Sequence, residues 1–176
     1  MRRTIKRAVT AVFLAAVVSL AGPATQALAN PEGMPDAFIK RLGGGDHYHG
    51  FDRINDTGRN QRARDRISEG GAASFKIKLR NRGKSIDDIS VNGCDGTHKF
   101  GVRYSEPSGN AVTGAVKNGT HTIQDVPEDM NIDALFVGIV AKSAAGPGDK
   151  INCKIRFISD NQPGASDVVR AFVKVV

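Results

Sequence analysis

Apolar and polar residues alternate one for one through much of the chain. Phe75, Ile77 and Leu79 interleave with Lys76, Lys78 and Arg80, and Phe100, Val102 and Tyr104 with Gly101 and Arg103. Ile151, Cys153, Ile155 and Phe157 interleave with Asn152, Lys154, Arg156 and Ile158. Val169, Ala171, Val173 and Val175 do so with Arg170, Phe172 and Lys174. Successive side chains of a strand point to opposite faces, so a period of two predicts antiparallel strands buried on one side. Residues 132–140 are nearly all apolar and predict a central strand covered on both faces. Turn-forming pieces lie between: Gly43-Gly44-Gly45, Gly70-Gly71, Asn81-Arg82-Gly83, Asn92-Gly93 and Gly146-Pro147-Gly148, with Asn118-Gly119 expected as a hairpin turn. No amphipathic helix of useful length follows residue 30. Seven to nine short strands at this spacing predict an all-β fold, an antiparallel β-sandwich whose two sheets share one apolar layer.

The first thirty residues carry a different pattern. Arg2, Arg3, Lys6 and Arg7 precede an apolar run over residues 8–22, and Ala27-Leu28-Ala29 is a small-x-small cleavage sequence. This layout predicts a secretory signal peptide over residues 1–29; the apolar run is shorter than the ~20 residues of a membrane span. Cleavage after Ala29 leaves residues 30–176 as a single domain with no transmembrane anchor, secreted or held at the cell envelope. The whole chain of 176 residues has a formal charge of +7, and removing the four cations of the leader leaves +3, so the basic balance is not by itself a nucleic-acid signature. Export takes Cys94 and Cys153, the two cysteines of the chain, to an oxidising compartment and predicts one disulfide between them.

Several segments carry a family resemblance. Pro35-Asp36-Ala37-Phe38-Ile39-Lys40, then Gly45-Asp46, then Asn55-Asp56-Thr57-Gly58-Arg59-Asn60-Gln61 resemble the opening of a bacterial extracellular Ig-like repeat: a short strand, a Gly-Asp turn and a T-G-x-x-Q segment. Residues 70–83, with Ala73, Phe75, Ile77, Leu79, Asn81 and Gly83 at alternate positions, followed by Ile86-Asp87-Asp88, are similar to the next stretch of such repeats. Residues 100–104, Ser159-Asp160 and Asp167-Val168-Val169 match the later strands. The likeness extends to the adhesion-type and glycosidase-associated Ig-like domains of bacterial surface proteins. It implies an Ig-like β-sandwich and a binding or structural role, and it names no active site. The cysteine pair and the histidine-bearing loop stand outside that pattern.

Charge supplies the leading candidate for function. Residues 59–84 hold nine cations against two acids, whereas residues 85–149 hold four cations against nine acids. Pairing residues 61–67 with 73–80 as a hairpin, Ile67 opposite Phe75 and Ala63 opposite Leu79, places Arg66 by Lys76, Arg64 by Lys78 and Arg62 by Arg80 on one outer face. Like charges directly opposite are destabilising, so three such pairs need a reason. An external polyanion is one: a cell-wall polymer, an acidic polysaccharide or nucleic acid. Splaying of long side chains into solvent and neutralisation by the acidic segment are the others. No aromatic residue interleaves with this stripe, which weakens the case for single-stranded nucleic acid.

Other constellations are thinner. His47 and His49 share a face of an extended segment and, with Asp46 or Asp52, could reach one metal, but a zinc site wants three or four ligands, and an exposed polar turn after three glycines is the favoured reading. His98 and His121 are expected at the surface. Asp125, Glu128, Asp129 and Asp133 lack the spacing of a calcium loop. The chain has no Gly-x-Ser-x-Gly, His-Glu-x-x-His or phosphate-cradling loop. The sequence therefore favours a non-catalytic binding or structural module that needs no cofactor, with a wall polymer, acidic polysaccharide or another surface protein as partner. A small secreted hydrolase or metal-dependent protein built on the His47/His49 loop is the alternative.

Overall fold

Among the described residues nine strands follow one another with a single short helix between them: β1 (Pro35–Arg41), β2 (Arg62–Ile67), β3 (Ala72–Asn81), β4 (Asp87–Gly93), β5 (Phe100–Ser105), α1 (Thr113–Asn118), β6 (His121–Val126), β7 (Asn131–Ala141), β8 (Lys150–Ser159) and β9 (Ser166–Val175). This computed structural model describes residues 33–45 and 47–176. The leader expected over residues 1–29, and Asp46, lie outside the described residues.

The strands form two sheets, one ordered β1-β3-β7-β5 and the other β2-β9-β8-β4-β6. The predicted alternation holds: Phe75, Ile77 and Leu79 face Val91, Ile155, Phe157, Val169 and Val173 within one continuous buried cluster. The chain is an all-β sandwich. One ladder departs from the antiparallel rule, because edge strand β2 runs parallel to β9. β7 is central, as its apolar run predicts, between β3 and β5. It is not covered on both faces, however: Val140 is 40% exposed and Phe136 half-buried on its outer side.

The expected hairpin of residues 61–67 with 73–80 does not exist. β2 lies in the five-stranded sheet beside β9, while β3 lies in the other sheet between β1 and β7. Alternation reports which face of a strand is buried, not which neighbour takes its hydrogen bonds. Ala63 and Ile67 bury toward the same core as Phe75 and Leu79, but from the opposite wall. The turn at residues 68–71, with Gly70 at φ 68°, is thus a corner between sheets. Asn118-Gly119 is likewise no hairpin turn. Gly119, at φ 68°, closes α1 in the left-handed conformation and its N–H donates to the carbonyls of Ala115 and Val116. Asn92-Gly93 also lies inside a strand, at the end of β4. Gly93 cannot carry a side chain there, since a Cβ would stand 2.5 Å from the Tyr104 hydroxyl oxygen.

Cys94 and Cys153 are joined by a disulfide that closes 59 residues of chain, with Cα atoms 5.4 Å apart. It links neighbouring strands of one sheet, because β4 pairs with β8 along its length. Tyr104 reaches it from the opposite sheet: its hydroxyl donates to the Cys94 carbonyl at 3.0 Å and lies 3.1 Å from the Cys153 Sγ. Burial raises the ionisation of that phenol above its ordinary range, so it stays a neutral donor. A cross-link over a loop of this length restricts the unfolded chain by roughly 4 kcal/mol in the chain-entropy treatment. Reduction is therefore expected to lower the thermal midpoint by many degrees, and Cys94→Ser with Cys153→Ser to do the same. Melting curves with and without reductant that superimpose would show that the bridge contributes nothing.

Candidate functional site

The six cations expected on one face divide between two. Lys76, Lys78 and Arg80 stand on the outer side of β3, where acids neutralise them. Lys76 meets Asp133 at 2.7 Å and Lys78 meets it at 3.9 Å, while Arg80 donates to Asp129 at 2.9 Å. The Asp133 hydrogen bond raises the Lys76 ammonium above its ordinary range. Two of the four acids that lack calcium-loop spacing, Asp129 and Asp133, are counterions for the β3 stripe. Arg82 continues the pattern with Asp52 at 2.6 Å. A face whose cations each have an acid within reach offers little to an external polyanion.

Arg62, Arg64 and Arg66 have a different environment. Parallel register sets Arg62 beside Arg170, Arg64 beside Phe172 and Arg66 beside Lys174. The β8–β9 ladder then sets Lys154 beside Arg170, Asn152 beside Phe172 and Lys150 beside Lys174. The outer face of β2, β9 and β8 is thus a grid of three rows: Arg62–Arg170–Lys154, Arg64–Phe172–Asn152 and Arg66–Lys174–Lys150. Arg156 extends it along β8. Neighbouring strands lie ~4.8 Å apart and outer residues of one strand ~6.7 Å apart, so the cations repeat at those intervals. Among the described residues none of them forms an ion pair. Phe172 is half-buried in the middle row, with the Arg62 guanidinium 5.5 Å from its ring centre.

At the end of the grid where β2 begins lies an open cleft of about 870 Å³ lined by Arg59, Arg62, Arg64, Arg170, His49 and Asn60, with no acidic side chain among the described residues. The loop over residues 50–61 forms its wall. Asn55 organises that loop: its Oδ1 accepts from the Thr57 N–H, the Thr57 hydroxyl and the Arg59 N–H. Gln61 is fully buried beneath, its Nε2 donating to the Asp167 carboxylate at 2.8 Å and its Oε1 accepting from Asn55 Nδ2. Asp167 also accepts from the N–H groups of Ala37, Asn55 and Val168 at 2.7, 2.9 and 2.8 Å. These donors oppose burial, which still holds its carboxyl above the ordinary range.

A second buried carboxylate lies under the same loop. Asp36 accepts from the Asp52 N–H, and its other oxygen has no partner among the described residues. Burial first, and the nearby negative charge of Asp167 next, push its carboxyl up to about 6; the Asp52 N–H and Arg82 offset part of this. Nothing in the alternating pattern marks Asp36, Gln61 or Asp167 as buried. The cations of β8 and β9, by contrast, occupy the polar half of the alternation and were visible there without their neighbours.

His47 and His49 are both exposed, on either side of Tyr48, whose ring packs edge-on against Phe38 at 5.3 Å. His49 faces the cleft. Among the described residues no group of three His, Cys, Asp or Glu side chains is placed to hold a metal, and Asp46 is not among them. His121 is not at the surface: it is 8% exposed, on edge strand β6 beside Val91. His98 is exposed.

No protein-family model matches the sequence, and no curated protein matches it. Among the solved structures distantly similar to the chain are three. They are the PapD-like domain 7 of human CEP192 (11% identity, 93% of this chain and 97% of that one, TM-score 0.37), a family 123 glycoside hydrolase from Clostridium perfringens (12%, 81% and 27%, 0.43) and the secreted serine protease VesC from Vibrio cholerae (8%, 64% and 21%, 0.40). The chain spans about a quarter of the hydrolase and a fifth of the protease. Likeness at this level carries nothing about activity; the sandwich rests on the strands themselves.

The raised Asp36 carboxyl has a consequence with a definite sign. Its unfolded value is 3.8 and its folded value about 6, so the folded state binds the proton more tightly. The associated stability is present in acid and lost as pH rises through about 6. Asp167 shifts the same way. The thermal midpoint is expected to climb between neutral pH and pH 5, and Asp36→Asn to remove most of that climb. An unchanged slope in the Asn variant would refute the assignment.

Proposed function

We propose that this chain is exported and serves, without catalysis, as an Ig-like binding module at a bacterial cell surface, holding an anionic polymer against the outer face of its five-stranded sheet. The single observation behind this reading is the grid. Four ladder partners on it are like-charged: Arg62 with Arg170, Arg66 with Lys174, Lys154 with Arg170 and Lys150 with Lys174. Opposed like charges cost about 0.2–1 kcal/mol each, and the sandwich has acids to spare that neutralise β3 instead. A repeating polyanion would relieve that repulsion and gain entropy from the counterions it releases. Half of the contact residues expected from sequence (Arg62, Arg64 and Arg66) belong to this face, joined by Lys150, Lys154, Arg156, Arg170 and Lys174. Lys76, Lys78 and Arg80 do not. The signal-peptide layout and the disulfide support export. Phe172 adds an apolar platform for a sugar ring, and an acidic wall polymer or polysaccharide is the partner.

Binding to long-chain polyphosphate and to dextran sulfate, followed across salt concentrations, tests this. Affinity should fall steeply with salt, and Lys154→Ser with Lys174→Ser should weaken it at least tenfold and flatten the log–log slope by about 2. Lys76→Ser with Lys78→Ser should change it little. Equal losses in the two pairs, or no salt dependence, would reject the grid as the contact face.

A further inference from the structure

The cleft beside the grid is more than its continuation. It gathers Arg59 from the loop, Arg62 and Arg64 from β2 and Arg170 from β9, with Asn60 and His49 at its border. We propose that it is a receptor for a single phosphomonoester group. The site deepens the polyanion reading and rests on it: a polymer lying along the grid would present its phosphorylated end here.

Three features distinguish the cleft from an ordinary basic patch. The first is its chemistry. All four cations are guanidiniums, whose planar forks match the oxygens of phosphate, and among the described residues no carboxylate lines the space to compete. A phosphomonoester carries between one and a half and two negative charges on three oxygens (roughly, at neutral pH), against one for a sulfate ester or a carboxylate. Four unpaired guanidiniums suit the higher charge.

The second is preorganisation. Arg170 donates through Nε to the Thr57 carbonyl at 2.8 Å, and through Nη2 to the same oxygen. That edge is taken up by the loop, so the guanidinium is fixed before any ligand arrives and presents its Nη1 side to the cleft's ligand. Arg62 lies over Phe172. Fixing long side chains beforehand removes part of the entropy a ligand must otherwise overcome.

The third is the wall. Gly58 has φ 68°, and a Cβ there would stand 2.9 Å from Arg170 Cγ and Nε and 3.0 Å from the Val168 carbonyl. A glycine is what lets the loop lie against Arg170. Beneath it the Asn55 turn and the buried Gln61–Asp167 pair hold the loop in place. The volume of about 870 Å³ far exceeds one phosphate and leaves room for the carrier that bears it.

The test is calorimetric and amide-resolved NMR titration of the purified protein with inorganic phosphate and with glycerol 1-phosphate, using methyl sulfate and acetate as monoanion controls. Saturable one-to-one binding of both phosphates is expected, with shifts concentrated at the amides of Gly58, Arg59 and Asn60. Arg59→Ser with Arg64→Ser should weaken it about tenfold or more. Gly58→Ala should weaken it also. Arg59 and Arg64 are exposed, so the double variant keeps the fold, and an unchanged melting curve verifies this. Lys154→Ser with Lys174→Ser should leave phosphate affinity within twofold while weakening polyphosphate. Absence of saturable phosphate binding, acetate binding as tightly as phosphate, or equal losses in the cleft and grid variants would overturn the proposal. If polyphosphate still binds the grid when phosphate does not bind the cleft, the cleft alone is refuted; if neither binds, both readings fall.

Discussion

One buried carboxylate ties the molecule together. Asp167 starts the inward side of β9, in the five-stranded sheet, yet it accepts from the N–H of Ala37 in β1 of the other sheet. It also holds the loop through Asn55 and the Gln61 amide. A charge in this position survives only because donors surround it; removing any one leaves a buried group unsatisfied at a cost of about 1–3 kcal/mol. Both sheets and the arginine-bearing loop thus share one anchor, and the guanidinium of Arg170, three residues along β9, inherits its place from that anchor.

Strand existence and facing were legible in the sequence. The alternation at residues 75–79, 151–157 and 169–175 is reproduced residue by residue in what is buried. Partnership was not legible. β2 and β3 have the same inward period whether they pair in one sheet or oppose each other across the core, and the two glycines at 70 and 71 suit a hairpin as well as a corner. The charged stripe was therefore assembled from the wrong neighbours. The cysteine pairing was readable because only one pairing exists. The Asn55, Thr57, Gly58 and Gln61 motif was readable as a pattern, but its purpose, a loop fastened onto Asp167, needed the fold. Ala37, which Asp167 grips through its backbone, leaves no side-chain signature at all.

The distribution of acids explains why the two outer faces differ. Of the acids of residues 125–133, Asp125 lies in β6, Glu128 and Asp129 in the turn before β7, and Asp133 near the start of β7, which is the neighbour of β3. Asp133 and Asp129 therefore fall beside Lys76 and Arg80. Over residues 150–158 and 168–176 the chain contains no acid at all. β8 and β9 are neighbours, so no ladder partner of their cations is an acid. The asymmetry follows from the order of strands, because the same residues in a different sheet order would neutralise one another.

The position of the disulfide bears on how such a molecule would behave under tension. It spans neighbouring strands β4 and β8 and locks the chain between its two cysteines, 59 positions apart, into a closed ring. At ~3.4 Å per extended residue, some 200 Å of contour length is withheld from any pull on the chain ends. Strands β1 to β3 and β9 can be drawn out, while β5, α1, β6 and β7 stay looped behind the sulfur bond. A tether of this kind gives up the length outside the ring and then stops.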